Sequence, residues 1–380
     1  MFVQMQINTL TKKEHQEFYD VVVALCQREQ VQLEENNDIV SIHACPQGVI
    51  TIEEKEGAIS CSSSTRHGGP GYHAFVVDFF LDIQTELGKQ FELYDDLNYD
   101  QDGNFDRLVQ IYEDEITYLK GLLLNSEDML RVNTIYDETL FYPMVKEGKV
   151  PTILGYLDKE TLKRMSEKDL MPYFYIWNDW DKDAQYYRQV ALYRYVKEGL
   201  KEYTNINELS IKYAHEICDM LELAHSLDPY IPLPMDIYQE LLSYVDRKPL
   251  LTECVSMDQE IKPYRMSDVY HLYDDLQIVA HGASLRSVDK VSQSLCIMAP
   301  YTQEEHWHWL IQASHNPNIC EYLENEDSKQ IQQDDHLIIE AKKEKEGKPI
   351  YFHCVIADEK DLDYIQFCIK NSQWMPSVGS

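Results

Sequence analysis

The stretch Ala58–Ile83, AISCSSSTRHGGPGYHAFVVDFFLDI, decides how the N-terminal part of this sequence folds. A β-like run gives way to three glycines and one proline, and an almost wholly apolar segment follows. Glycine permits a sharp turn of the backbone, and proline is favoured in the first turn of a helix. The stretch therefore predicts a strand, a tight corner at which Gly69 or Gly71 has a positive φ, and a helix from about Tyr72 to Leu87.

The sequence on both sides of this corner predicts an α+β domain over residues 1–126. Thr11 and Glu14 form a capping box in front of a helical pattern that runs to about Arg28. Three short β-branched runs, 38–45, 48–57 and 58–65, are separated by tight turns and favour an antiparallel β-meander. A further amphipathic helix begins near Asn104.

The rest of the chain predicts two more regions. Residues 127–263 have an irregular helical pattern broken by prolines, are rich in aromatic residues and lack the alternation of strands. Residues 264–380 have the order β-β-α-β-β-α: a hairpin within 276–300, a helix at 302–314, a polar loop at 324–335, a hairpin within 336–357 and a helix near 359–370. The expected class is α+β throughout.

The charge of the chain restricts its partners. Sixty-six acidic residues against 34 basic ones give a net charge of −32, which repels nucleic acids and anionic membranes and attracts basic proteins or metal cations. Solubility alone is the other explanation of this charge. Nine scattered cysteines without a CxxC pair indicate free thiols. With no signal-like start and no long apolar run, we expect a cytoplasmic protein without a membrane segment.

The glycine-rich corner is the first candidate site. Backbone N–H groups at a helix N-terminus can hold an anion, and basic side chains beside them would add charge. The six candidate ligand-binding residues are Arg66, His67, Gly68, Gly69, Gly71 and His73. Neither a dinucleotide-binding nor a P-loop fingerprint is present, so a purely structural corner is the alternative interpretation.

Two patterns resemble metal sites but depart from them. His215 begins an HExxH-like stretch in which Asp219 replaces the second histidine, so one continuous helix with a solvated polar face is the better interpretation. The segment 98–109 resembles a calcium loop, but Val109 stands where a bidentate carboxylate is needed. A turn followed by a helix N-cap explains it better. We therefore predict no metal and no cofactor, and no catalytic residue can be assigned.

The segment 171–195 is unusually dense in aromatic residues. Aromatic side chains beside arginines and carboxylates are typical of interface hot spots, whereas a buried core is the alternative. The candidate partner-binding residues are Tyr173, Tyr175, Trp177, Trp180, Tyr186 and Tyr187. Together with the charge, they favour a non-catalytic acidic protein that binds a basic protein partner, as immunity-type or sequestering proteins do. An enzyme or a binding protein that takes an anionic small molecule at residues 66–73 is the alternative.

Overall fold

The structure is a computed structural model, and it forms two compact units. It describes residues 1–8, 11–36, 39–55, 58–125, 148–152, 155–198, 208–252, 254–257, 269–272, 276–279, 285–289, 294–298, 309–323, 326–345, 348–357 and 361–374. The first unit contains the described residues up to 257, and the second contains those from 269 onwards. Both predicted domain boundaries, after 126 and after 263, lie outside the described residues.

A six-stranded antiparallel sheet organises the first unit. Its strands are β1 (Phe2–Ile7), β2 (Gln32–Asn36), β3 (Ile39–Cys45), β4 (Gly48–Lys55), β5 (Ala58–Ser64) and β6 (Glu92–Asp95). The order across the sheet is β2-β3-β4-β5-β1-β6, with Met5 of β1 opposite Cys61 of β5. The predicted meander is therefore confirmed as β3-β4-β5, and the N-terminal strand extends it on the side of β5.

Four helices follow the strands of this sheet along the chain. They are α1 (Lys12–Arg28), α2 (Pro70–Leu87), α3 (Tyr99–Asp102) and α4 (Phe105–Asn125). The capping box of Thr11 and Glu14 is present at the start of α1, as predicted. Alternate residues of β1 are fully buried, and α2 buries ten residues, because this helix is apolar on most of its faces.

The middle of the chain belongs to the first unit and is mostly helical. Its helices are α5 (Lys159–Arg164), α6 (Glu167–Phe174), α7 (Ala184–Glu198), α8 (Glu208–Leu227) and α9 (Met235–Leu242). The expectation that it lacks strands is wrong, since β7 (Lys149–Thr152) and β8 (Gly155–Asp158) form a short hairpin. Four-residue strands are too short for alternation to be recognised in the sequence.

The second unit contains two antiparallel sheets and one α-helix among its described residues. The strands are β9 (Val269–Leu272), β10 (Leu276–Val279), β11 (Leu285–Asp289), β12 (Ser294–Met298), β13 (Trp309–Ser314), β14 (Ser328–Gln333), β15 (His336–Lys345), β16 (Lys348–Ile356) and β17 (Gln373–Trp374). The larger sheet has the order β11-β12-β13-β16-β15-β14. Helix α10 (Leu362–Asn371) buries Tyr364, Ile365 and Cys368 against it. The α+β class and the hairpin β15-β16 are confirmed. The first predicted hairpin is confirmed only in part, as β11-β12, because Leu276–Val279 is strand β10 of the smaller sheet.

Two elements predicted for the C-terminal region are wrong. The described end of the predicted helix 302–314 is strand β13, in which Trp309, Ile311 and Ala313 are buried on one face. This strand pairs with β12 and β16, so its residues alternate with a period of two. The predicted polar loop 324–335 contains β14, which is polar because it is an edge strand paired with β15 alone.

Two further expectations from the sequence concern disulfides and membrane-spanning helices. None of the eight cysteines in the described part of the chain forms a disulfide, and Cys296 belongs to a strand whose side chains are not described. Within the described ranges, every helix is too short or too polar to cross a membrane.

Candidate functional site

The glycine-rich corner between β5 and α2 is held by the backbone of a distant segment. The N–H of Trp177 donates to the carbonyl of Gly68, and the N–H of Gly71 donates to the carbonyl of Trp177, both at 3.0 Å. Gly69 has φ 98°, which confirms the predicted positive φ. A Cβ atom on Gly71 would lie 2.1 Å from the carbonyl oxygen of Asp179. Glycine is therefore required because the aromatic segment packs directly on the corner.

The three basic side chains of the corner contact the protein itself. Arg66 forms an ion pair with Glu115 of α4, and its Nε lies 3.0 Å from Glu115 Oε1. His67 takes part in a further interaction. His73 is completely buried, with Nδ1 2.7 Å from Thr65 Oγ1 and Nε2 3.0 Å from Asp95 Oδ1. The last contact is not aligned as a hydrogen bond, so we treat it as an ion-pair contact.

Asp95 completes this buried network. Its carboxylate accepts the backbone N–H groups of Leu97 at 2.8 Å, Tyr99 at 2.6 Å and Asp100 at 3.1 Å. Burial raises the pKa of Asp95, but the charge of His73 together with the backbone donors outweighs it, and the net pKa is lowered. The Thr65, His73 and Asp95 side chains have no access to solvent, so this network stabilises the corner and offers no surface to a ligand.

The predicted aromatic cluster divides into a buried part and a part that faces a cavity. Tyr173 and Tyr175 are buried, and the Tyr175 ring packs edge-on against Tyr112 of α4 at a centroid distance of 5.0 Å. Burial raises the pKa of Tyr173 to about 12. These two tyrosines are core residues that do not line the cavity, and their contact with a partner stays a prediction. Trp177, Trp180, Tyr186 and Tyr187 all line the cavity.

This cavity, which we call the aromatic groove, has a volume of about 680 Å³. It lies between the end of α1, one face of α2, the segment 177–182, the start of α7 and part of α8. Its aromatic lining is Phe75, Phe79, Trp177, Trp180, Tyr186 and Tyr187, and its charged lining is Arg28, Glu29, Asp78, Asp82, Asp181 and Lys182. The structure therefore brings four of the six predicted partner-binding residues to one concave surface.

Lys182 lies among three aromatic rings inside the groove. Its Nζ is 5.0 Å from the ring centroid of Trp177, 5.6 Å from that of Phe75 and 5.8 Å from that of Tyr186. These distances are within the range of cation–π attraction. Burial lowers the pKa of Lys182, and no described carboxylate lies within ion-pair distance of Nζ. The three rings thus form a cage that holds an ammonium group by their faces.

Asp78 is the most unusual acid of the groove. Burial and the neighbouring charge of Asp82, one helical turn away, raise the pKa of Asp78 to about 6. Asp82 is paired with Arg28, whereas Asp78 has no hydrogen-bond or ion-pair partner among the described residues. A half-buried carboxylate without a partner costs folding free energy, so it marks a position where an external cation would be favourable.

The charged side chains of the HExxH-like stretch form ion pairs within the protein. Helix α8 continues from Glu208 to Leu227, as the sequence predicts, and Arg247 forms ion pairs with both Asp219 and Glu222. Cys254 Sγ lies 3.7 Å from His225 Nδ1. In the part of the chain that the structure describes, no three metal-ligating side chains come together.

The calcium-like segment folds as a turn and an N-cap. Asp102 Oδ2 lies 3.0 Å from Arg107 Nε, and Asn104 Oδ1 accepts the backbone N–H of Arg107 at 3.1 Å at the start of α4. Asn98 and Gly103 both have positive φ, which reverses the chain at either end of the short helix α3. The observed contacts agree with the turn-and-cap interpretation.

Among the groove residues that sequence reasoning missed, Phe75, Asp78 and Lys182 matter most for its chemistry. A partial signal exists for Asp78, which is a lone carboxylate in the otherwise apolar run AFVVDFFL and lies three residues after Phe75, so both share one face of α2. No local pattern marks Lys182, since its environment is formed by residues about 100 positions apart in the chain.

Comparison with known proteins finds no relative of this chain. No protein-family model, no curated protein and no solved structure matches this chain.

Proposed function

We propose that this protein is a non-catalytic binding protein and that the aromatic groove receives a basic protein partner. The observation that supports this proposal is Asp78, an unpaired carboxylate beside aromatic walls in a cavity of about 680 Å³. A positively charged side chain entering the groove would both pair with Asp78 and contact the ring faces.

The charges around the groove support a cationic ligand. Its lining contains four carboxylates, those of Glu29, Asp78, Asp82 and Asp181, against the two cations Arg28 and Lys182. The whole chain carries a charge of −32, and such a field accelerates association with a basic protein. Local and global charge therefore favour the same class of partner.

The aromatic side chains support an interface with a protein. Trp180 is 49% exposed and contacts Phe105 of α4, with a centroid distance of 5.8 Å. Tryptophan and tyrosine at the edge of a groove bury much area on binding and lose little conformational entropy. The same segment is tied to the glycine corner by two backbone hydrogen bonds, so the binding surface is preorganised.

The alternative, an anionic small molecule held at residues 66–73, has less support. Arg66 is paired with Glu115, His73 is enclosed, and the N–H of Gly71 already donates to Trp177. An anion at this helix N-terminus would have to displace those contacts. The proposed role is therefore that of an immunity-type or sequestering protein, and the free cysteines support a reducing compartment such as the cytoplasm.

Binding of an acetylated and amidated hexalysine peptide tests this proposal. The titration is followed by tryptophan fluorescence, since Trp177 and Trp180 line the groove, and is repeated at about 50 and about 500 mM salt. We expect saturable binding that weakens with salt, and we expect Asp78→Asn to weaken it about fivefold at low salt, because one close charge pair is lost.

The matched control is Asp114→Asn. Asp114 is an exposed carboxylate on α4 that does not line the groove, so this variant makes the same change in net charge. It should change the affinity by less than about twofold. Equal effects of the two variants, or no binding by the native protein, would overturn the groove as the site.

A further inference from the structure

We infer that Lys182 occupies a lysine-binding cage as an internal ligand, and that a lysine side chain of the basic partner displaces it when the partner binds. This inference rests on the proposed function, and it identifies both the chemical group that the groove recognises and the step that controls access to it. The rings of Phe75, Trp177 and Tyr186 form the cage.

The geometry of the cage fits an alkylammonium group. The Phe75 and Trp177 ring centroids are 5.3 Å apart, those of Trp177 and Tyr186 are 5.1 Å apart, and the rings are inclined by 37° and 58°. Three inclined faces around one cation are the arrangement by which proteins recognise ammonium ligands. A lysine of this chain already lies there, so the size and polarity of the cage suit a lysine side chain.

The position of Lys182 allows it to leave. It lies between α6 and α7 in a segment that forms neither helix nor strand, while its neighbours Trp177 and Tyr186 remain fixed by burial. Its ammonium has no hydrogen bond and no carboxylate within ion-pair distance among the described residues, so it is held by the ring contacts and by the more distant charge of Glu29. On leaving the cage the ammonium regains its hydration, which offsets part of the contact energy that is lost.

A partner lysine gains an interaction that Lys182 does not make. Asp78 lies on the same face of α2 as Phe75, one turn further along, and remains unpaired while Lys182 fills the cage. A partner with several lysines can place one ammonium in the cage and another against Asp78. Lys182 then acts as a competitor that selects ligands with more than one positive charge.

The test compares Lys182→Met with Lys163→Met. Methionine retains an unbranched side chain without charge, and Lys163 is an exposed lysine on α5 outside the groove. We expect Lys182→Met to raise the affinity for hexalysine about fivefold, because the internal competitor is gone, and Lys163→Met to raise it by less than about twofold. Adding Phe75→Leu to Lys182→Met should remove the gain, because one face of the cage is lost.

A direct measurement follows Lys182 itself. In the native protein its ε-methylene protons should be shifted upfield by the surrounding rings, and the resonance is assigned by its absence in Lys182→Met. Saturation with hexalysine should move this resonance to the position of a solvated lysine. Thermal melting and near-ultraviolet circular dichroism establish that each variant is folded.

The outcomes separate the inference from the proposed function. Equal gains from Lys182→Met and Lys163→Met, or an unmoved Lys182 resonance in the hexalysine complex, would overturn the cage displacement while leaving binding at Asp78 intact. Absence of hexalysine binding by the native protein would overturn the proposed function and the inference with it.

Discussion

His73 and Asp78 lie five residues apart on the same helix and have opposite environments. His73 is 0% exposed, and both of its ring nitrogens have partners, Thr65 on one side and Asp95 on the other. Asp78 is half-buried and has no partner among the described residues. A buried network whose charges are paired stabilises a fold, whereas an unpaired half-buried charge destabilises it. The difference separates the supporting face of α2 from the face that we propose binds a partner.

The segment that includes Trp177 connects the two environments. Its backbone is hydrogen-bonded to Gly68 and Gly71 at the corner, and its ring forms part of the cage around Lys182. A rigid corner therefore fixes the position of one groove wall. Changes to the corner test the scaffold, and changes to Asp78 test the site that the scaffold supports.

The largest expected effect is that of Asp95→Ala. This variant leaves His73 and the N–H groups of Leu97, Tyr99 and Asp100 without their acceptor in the protein interior. We expect the free energy of unfolding, measured by urea denaturation at pH 7.5, to fall by about 4 kcal/mol.

Asp96→Ala is the control for this loss. Asp96 accepts the N–H of Phe2 at 2.9 Å, and its side chain is 29% exposed, so its removal should cost less than about 1 kcal/mol. A similar small loss for Asp95→Ala would show that the His73 network contributes no more than a surface contact.

The next largest effect is expected for Gly69→Ala. Gly69 has φ 98° and ψ 175°, a region that is essentially restricted to glycine, and a Cβ would lie 2.5 Å from the carbonyl oxygen of Trp177. We expect Gly69→Ala to lower the free energy of unfolding, measured by urea denaturation, by about 3 kcal/mol.

Gly88→Ala separates backbone strain from the steric contact. Gly88 also has a positive φ, 60°, but an added Cβ would meet nothing within 4 Å. Gly88→Ala should lower the free energy of unfolding by about 1 kcal/mol. Equal losses at both glycines would mean that the contact with Trp177 adds nothing to the strain.

The meander β3-β4-β5 and the helices α1, α2 and α4 of the first unit were predictable from local signals, whereas strands β1, β2 and β6 were not predicted. The capping box at Thr11 and the turns between β3, β4 and β5 specify their conformation within a few residues. Strand β13 was mistaken for a helix because its buried alternation covers six residues and follows a pattern that resembles a helix cap. Such a short strand acquires its conformation from pairing with β12 and β16, which a local pattern cannot reveal.

The candidate site was predictable in composition but not in geometry. The aromatic span identified Trp177, Trp180, Tyr186 and Tyr187, yet the same criterion selected Tyr173, which is buried outside the groove. Burial depends on which side of the segment 173–187 faces α2 and α4, and that is decided by tertiary packing. Nothing in the sequence indicates that Asp78 and Lys182 are partly buried, because a charged residue is usually solvated. Their burial results from the packing of the elements that form the groove.

The smallest expected effect is a gain in stability from Asp78→Asn. The pKa of Asp78 is about 6 in the folded protein against an ordinary value of 3.8, so the folded state retains this proton to higher pH than the unfolded state does. The contribution of Asp78 to the free energy of unfolding therefore falls as pH rises from about 4 to about 6 and stays low above that. The full shift corresponds to roughly 3 kcal/mol, and solvent screening of a half-buried carboxylate reduces the effect. Removing the charge should therefore raise the free energy of unfolding by about 1 kcal/mol at pH 7.5 and by almost nothing at pH 4. Urea denaturation across this range measures it, with Asp114→Asn as the control that makes the same change in net charge. A stabilising variant that also binds hexalysine less well would show that the chain retains Asp78 for binding at the expense of stability. A loss of stability at pH 7.5 would instead show that Asp78 supports the fold, and the contrast with His73 would disappear.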